Sequence, residues 1–137
     1  MAAAQTLARA ELAILARASW VLLPATLAAG AWALSRFVRP GRPPTARYVH
    51  AFLVAGLWLA VAGFYDVAVH HPASVQSGPA RWAMDVGAAA LLAQSAVGLL
   101  LRHTRPTRAR TPRLLAWHLV LAVVTTAAVA AGLWPYR

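Results

Sequence analysis

Long apolar runs alternate with short polar separators along this chain, and the period of the pattern is that of whole membrane crossings rather than of strands or one-sided helices. A helix needs about 20 mostly apolar residues to cross the hydrocarbon of a bilayer. Four segments approach or reach that length: 18–34, 48–69, 82–101 and 114–134. The first is the shortest and carries Pro24, where a kink is expected because proline removes a backbone donor and crowds the preceding turn. Arg17 lies at its outer edge, placed to snorkel.

The separators explain why the runs are distinct helices. "RPGRPPTAR" (39–47) holds three prolines and a glycine, and "HTRPTRARTPR" (103–113) holds two prolines among four arginines. Neither continues a helix through its prolines. "HHPASVQSGP" (70–79) is a neutral polar turn. The pattern predicts an all-α integral membrane protein, a single up-and-down four-helix bundle. "AWA" at 31–33 resembles a signal-peptide cleavage site, and against it the first segment is read as a span or signal anchor.

Composition strengthens this reading. Of the 137 residues 61% are hydrophobic and 12% charged, with a mean hydropathy of +0.59. That is more apolar surface than a domain of this size buries in its own core, so lipid is the natural solvent. All 13 basic residues are arginine, a bias that points to a GC-rich bacterial genome and hence to a bacterial inner membrane. No cysteine is present, which excludes disulfides, thiolate metal sites, iron–sulfur ligation and a cysteine nucleophile within this sequence.

The formal net charge of +10 reads as topology rather than as a nucleic-acid surface, because the arginines bracket apolar runs and form no continuous basic face. Arg36, Arg39, Arg42 and Arg47 lie between spans one and two; Arg102, Arg105, Arg108, Arg110 and Arg113 lie between three and four. Both loops are therefore expected on the cytoplasmic side, with both termini on the outer, periplasmic or extracellular side. Trp20, Tyr65, Trp82, Trp134 and Tyr136 then form an outer aromatic belt, and Trp32, Tyr48 and Trp117 an inner one.

That orientation gathers the candidate chemistry into two groups. At the outer mouth, "GFYDVAVHHP" (63–72) sets Asp66 four residues before His70, with His71 adjacent, and Asp85 falls in the first turn of span three. Asp66, His70, His71 and Asp85 form a candidate copper or zinc site. The competing account is a polar helix end in which Asp85 pairs with Arg81 and favours a helix N-terminus.

On the inner side His50 and His118 lie within about two turns of the boundary, on spans that run in the same direction, an arrangement able to bind a b-type haem through two axial imidazoles. The face around His118 carries Ala122, Thr125, Val129 and Gly132, all but the valine small enough to suit a macrocycle or a close helix. The face around His50 carries Val54, Leu57, Val61 and Phe64, from which His50 is expected to face lipid. His103 is a third inner imidazole.

Gly56, Ala60 and Gly63 make a small-residue stripe suited to self-association or a partner helix, and Gln94 is expected in an interhelical hydrogen bond. No span carries an ionisable residue at its centre, which speaks against an ion relay, and no nucleophile–base–acid cluster or phosphate loop appears. The sequence therefore favours a non-catalytic accessory or anchor subunit of a larger membrane complex, one that carries electrons in some versions of this reading. A haem subunit using His118 with His50 is the first alternative, and a metal-handling or transport protein with the outer site is the second.

Overall fold

A computed structural model describes residues 2–37, 45–75, 78–103 and 110–136. The described residues form four long helices: α1 (Ala2–Phe37), α2 (Thr45–His70), α3 (Pro79–His103) and α4 (Arg110–Leu133), with single 3₁₀ turns at Pro72–Ser74 and Trp134–Tyr136. Each of the four is long and apolar enough to cross a membrane. The chain falls into two compact units, one built on α1 and α2 and the other on α3 and α4. Each is a helical hairpin and is described by itself.

The helices outrun the apolar spans that the sequence marks. α1 differs most, because it begins at Ala2 instead of near residue 18 and reaches 36 residues, about 54 Å at 1.5 Å per residue. The extra length is rich in alanine and leucine, strong helix formers, and contains no breaker. Hydrophobicity locates the membrane crossing, whereas propensity and tertiary contact locate the helix. Ala8, Leu12 and Ala16 of this extension are 1%, 0% and 0% exposed, so it packs along one stripe while Arg9, Glu11 and Arg17 stay exposed. Pro24 lies inside α1 at an exposed position, where its ring does not intrude on the buried stripe.

The ends of the central turn follow from local chemistry. α2 closes where the amide of His71 bonds the Val67 carbonyl at 2.8 Å and Pro72, lacking an N–H, prevents a further turn. α3 opens on Gly78, whose φ of +87° is costly for a residue with a Cβ. Pro79 occupies the first helical position, where a missing N–H costs nothing, and the Trp82 amide bonds the Gly78 carbonyl at 3.1 Å.

Packing within the hairpins uses alternating steps of three and four residues. On α1 the buried side chains include Ala16, Ser19, Leu23 and Thr26; on α3 the buried positions include Met84, Gly87, Leu91 and Gln94. This is the spacing by which a helix keeps one seam turned to a partner running nearly alongside it. α2 contributes Leu57, Ala60, Val61, Phe64 and Val67, and α4 contributes Thr125, Val129 and Leu133. In a bilayer, close packing and interhelical hydrogen bonds hold such seams together, because lipid removes the hydrophobic drive between helices.

Glycines set how near the helices come. In the second hairpin a Cβ on Gly132 would collide with the Met84 side chain and stand 2.9 Å from the Met84 backbone nitrogen. One on Gly87 would stand 2.8 Å from Val129 Cγ2. In the first hairpin Gly56 faces Leu22 and Gly63 faces Leu15, with Ala60 buried between them. The small-residue stripe on α2 is thus covered by α1 of the same hairpin.

Candidate functional site

His50 and His118 occupy the same place in their respective hairpins. His50, on α2, reaches across to α1 and places Nδ1 3.1 Å from the Thr26 carbonyl oxygen. His118, on α4, reaches across to α3 and places Nδ1 3.1 Å from the Gln94 carbonyl oxygen. A carbonyl only accepts, so in both rings Nδ1 carries the proton and donates.

Glycine makes each approach feasible. A Cβ on Gly30, one turn after Thr26, would lie 3.1 Å from Cε1 and 3.3 Å from Nδ1 of His50. A Cβ on Gly98, one turn after Gln94, would lie 3.2 Å from Cε1 and 3.6 Å from Nδ1 of His118. The ring lies against the bare glycine with Nδ1 on the carbonyl one turn back, and the hypothetical Cβ of Gly30 is 3.9 Å from Nε2, farther than from Nδ1. Both histidines are half-buried.

These parallels form one pattern. Gln94, Gly98 and His118 each stand 68 positions after Thr26, Gly30 and His50. The same displacement carries buried Leu23 to buried Leu91, Val61 to Val129, Ala16 to Met84 and Leu57 to Thr125. It also pairs Phe64 with Gly132, so the bulk that α2 supplies in one hairpin is replaced by Met84 from α3 in the other. Neither helix pair resembles the other strongly residue by residue; the burial register and the histidine clamp are what repeat.

This geometry corrects the expectation that His50 faces lipid. Its neighbours Leu57, Val61 and Phe64 are 2%, 2% and 0% exposed, so the large apolar side chains on that side of α2 fill the hairpin seam. Size alone does not tell a lipid-facing side chain from a seam-filling one. The face around His118 is likewise occupied within its hairpin: Val129 packs on Gly87, and Gly132 on Met84. The backbone carbonyl of Gln94, rather than the side-chain amide expected to bond between helices, meets His118, and the residue itself is buried. Thr26, Gly30 and Gly98 were missed in the sequence, where the detectable signal was a glycine followed twenty positions later by histidine, twice, at one displacement.

Among the described residues three buried hydroxyls lack hydrogen-bond partners: Ser19 Oγ, Thr26 Oγ1 and Thr125 Oγ1. Thr126, next to Thr125 in the chain, shows the usual solution, its hydroxyl donating to the Ala122 carbonyl at 2.8 Å.

Asp66, His70, His71 and Asp85 are arranged differently. The His70 ring donates from Nδ1 to the Asp66 carbonyl at 3.0 Å and lies 3.3 Å from the Asp66 carboxylate, with both side chains about two-thirds or more exposed (67% and 73%). Asp85 receives the Arg81 guanidinium at 3.3 Å, the i,i+4 pair that the sequence spacing suggests. His71 is the N-cap of the 3₁₀ turn at Pro72–Ser74, without a side-chain capping bond. Among the described residues no group of three or more histidine, cysteine, aspartate or glutamate side chains is arranged to hold a metal ion. The side chain of His103 lies outside the described residues.

Compared with known protein families, curated proteins and solved structures, the chain matches none.

Proposed function

We propose that this protein is a small multi-pass membrane subunit that serves a larger membrane complex as an accessory or anchor, without catalysing a reaction of its own. The observation that carries the reading is the state of α4. It is apolar enough to span the membrane, yet only 11% of its span is buried within the chain. Trp117, Val120 and Val123 remain 62%, 52% and 68% exposed. A span with so little cover from its own hairpin has ample surface for neighbouring helices as well as lipid.

The arginine-rich segments support placement in a bacterial inner membrane with both termini outside, through the preference of basic loops for the cytoplasmic face. Absence of ionisable side chains at the span centres favours a supporting role over an ion-conducting one. Isolation of the tagged protein from its native membrane in mild detergent tests the proposal: a second membrane polypeptide in fixed ratio is expected. Recovery of this chain alone, under conditions that preserve other membrane complexes, contradicts it.

A further inference from the structure

The register of the first hairpin fixes the depth of Arg17. Leu15 lies against Gly63, its Cδ2 3.0 Å from where a glycine Cβ would be, and Leu22 lies against Gly56 at 3.3 Å. Arg17 is therefore level with the stretch of α2 between those glycines, "GLWLAVAG", which has no charged side chain. Gly63 is already seven residues, about 10 Å, inside the end of α2 at His70. The hairpin thus sets Arg17 deeper than the edge of the first span, where the sequence alone puts it.

Depth is costly for a charge without a partner, because hydrocarbon offers it neither water nor acceptors. Among the described residues Arg17 takes part in no hydrogen bond or ion pair, and it is exposed. The three acids of the chain do not serve it. Asp85 receives Arg81, Asp66 lies against His70, and Glu11 is six residues along α1, about 120° around the helix.

The surface that carries Arg17 is otherwise apolar and regularly spaced. Leu7, Ile14 and Val21 recur every seven residues and are 69%, 64% and 69% exposed. Arg17 falls on the same side of α1, three residues after Ile14 and four before Val21. That spacing is the seam along which one more helix packs.

From the unmatched charge within this seam we infer that α1 docks against a transmembrane helix of a different polypeptide, one that carries an aspartate or glutamate at the level of Arg17. The inference rests on the reading of this chain as a subunit of a larger complex and names the chemistry of its neighbour. A carboxylate supplies both the opposite charge and the paired acceptors that a guanidinium takes in bidentate fashion. A second copy supplies neither, since two copies meeting along this stripe in the same orientation bring arginine to arginine. Lipid phosphate is the other anion in reach, but the turn leading outward to it, Ala10, Ala13 and Ile14, offers no polar side chain.

The test uses the full chain in its native membranes, with a photo-crosslinking amino acid at Ile14 or Val21. Both positions are expected to yield an adduct with one membrane polypeptide, attached in an apolar segment that contains an acidic residue. Arg17→Leu and Arg17→Glu lower the yield by about tenfold or more, whereas Arg17→Lys keeps most of it. Circular dichroism of the purified variants shows unchanged helix content. Exchanging the two charges, with Arg17→Glu here and arginine in place of the partner's acid, restores the adduct.

Adducts with lipid alone, with a second copy of this chain, or with a segment that lacks an acidic residue each overturn the inference, as does a yield indifferent to Arg17→Glu. A partner still captured from Val123 of α4 in any of these cases leaves the accessory-subunit reading standing, so the two fail separately.

Discussion

The Nδ1–H of His118 donates to the backbone carbonyl of Gln94 at 3.1 Å, across 24 residues of chain and between two helices. A carbonyl inside a helix already accepts from the amide four residues on, so a side chain shares it only by coming close to the helix surface. Gly98 is that next-turn residue and allows the approach. His50, Thr26 and Gly30 repeat the relationship.

If each clamp holds the two helices of its own hairpin together, His50→Ala and His118→Ala proteins lose similar amounts of stability. Interhelical side-chain hydrogen bonds in membranes contribute roughly 0.6–2 kcal/mol. Reversible unfolding in mixed micelles measures this, and a silent substitution at either position would show that its hydrogen bond does not support the hairpin.

Close approach in the second hairpin makes Gly132 and Gly87 the most sensitive glycines. Their added Cβ atoms would meet backbone as well as side-chain atoms, of Met84 and Val129 respectively, so rotamer changes alone cannot relieve the clash. Gly132→Ala and Gly87→Ala should each cost about 1–3 kcal/mol. Gly56→Ala, 3.3 Å from a flexible leucine methyl, should cost less in the same assay.

Arg81 and Asp85 form a half-exposed pair, with side chains 37% and 42% accessible. A double-mutant cycle on Arg81→Ala and Asp85→Ala should give a coupling of about 1 kcal/mol or less, shrinking as salt is added. A substantially larger coupling that resists salt would show that the pair is not screened by solvent.

Because the chain contains no cysteine, single-cysteine variants report topology without background. Arg108→Cys is expected to react with an impermeant maleimide only from the cytoplasmic side, and Ala73→Cys only from the outer side. Opposite labelling would invert the orientation.

The helices and their number were legible in the sequence because hydrophobic length and proline-rich separators are local signals. The start of α1 was not, since residues 2–17 mix arginine and glutamate into a helix-forming segment whose buried stripe of Ala8, Leu12 and Ala16 emerges only on packing. The i,i+4 pairs Asp66–His70 and Arg81–Asp85 could be read from spacing, as one helix fixes both partners. The histidine clamps could not: each acceptor is a backbone carbonyl, invisible to residue identity, on a different helix. Reading Phe64, Val61 and Leu57 as lipid-facing failed for a related reason, because in an apolar solvent both sides of a helix are apolar and only contact distinguishes them.

That this chain works as a subunit of a larger membrane complex is tested most directly by a photo-crosslinking amino acid placed at Val123 on the exposed side of α4. Irradiation of native membranes should yield a discrete adduct with a different membrane polypeptide, absent when the probe replaces buried Val129. Adducts with lipid alone, at expression levels matched to the native protein, would contradict the claim.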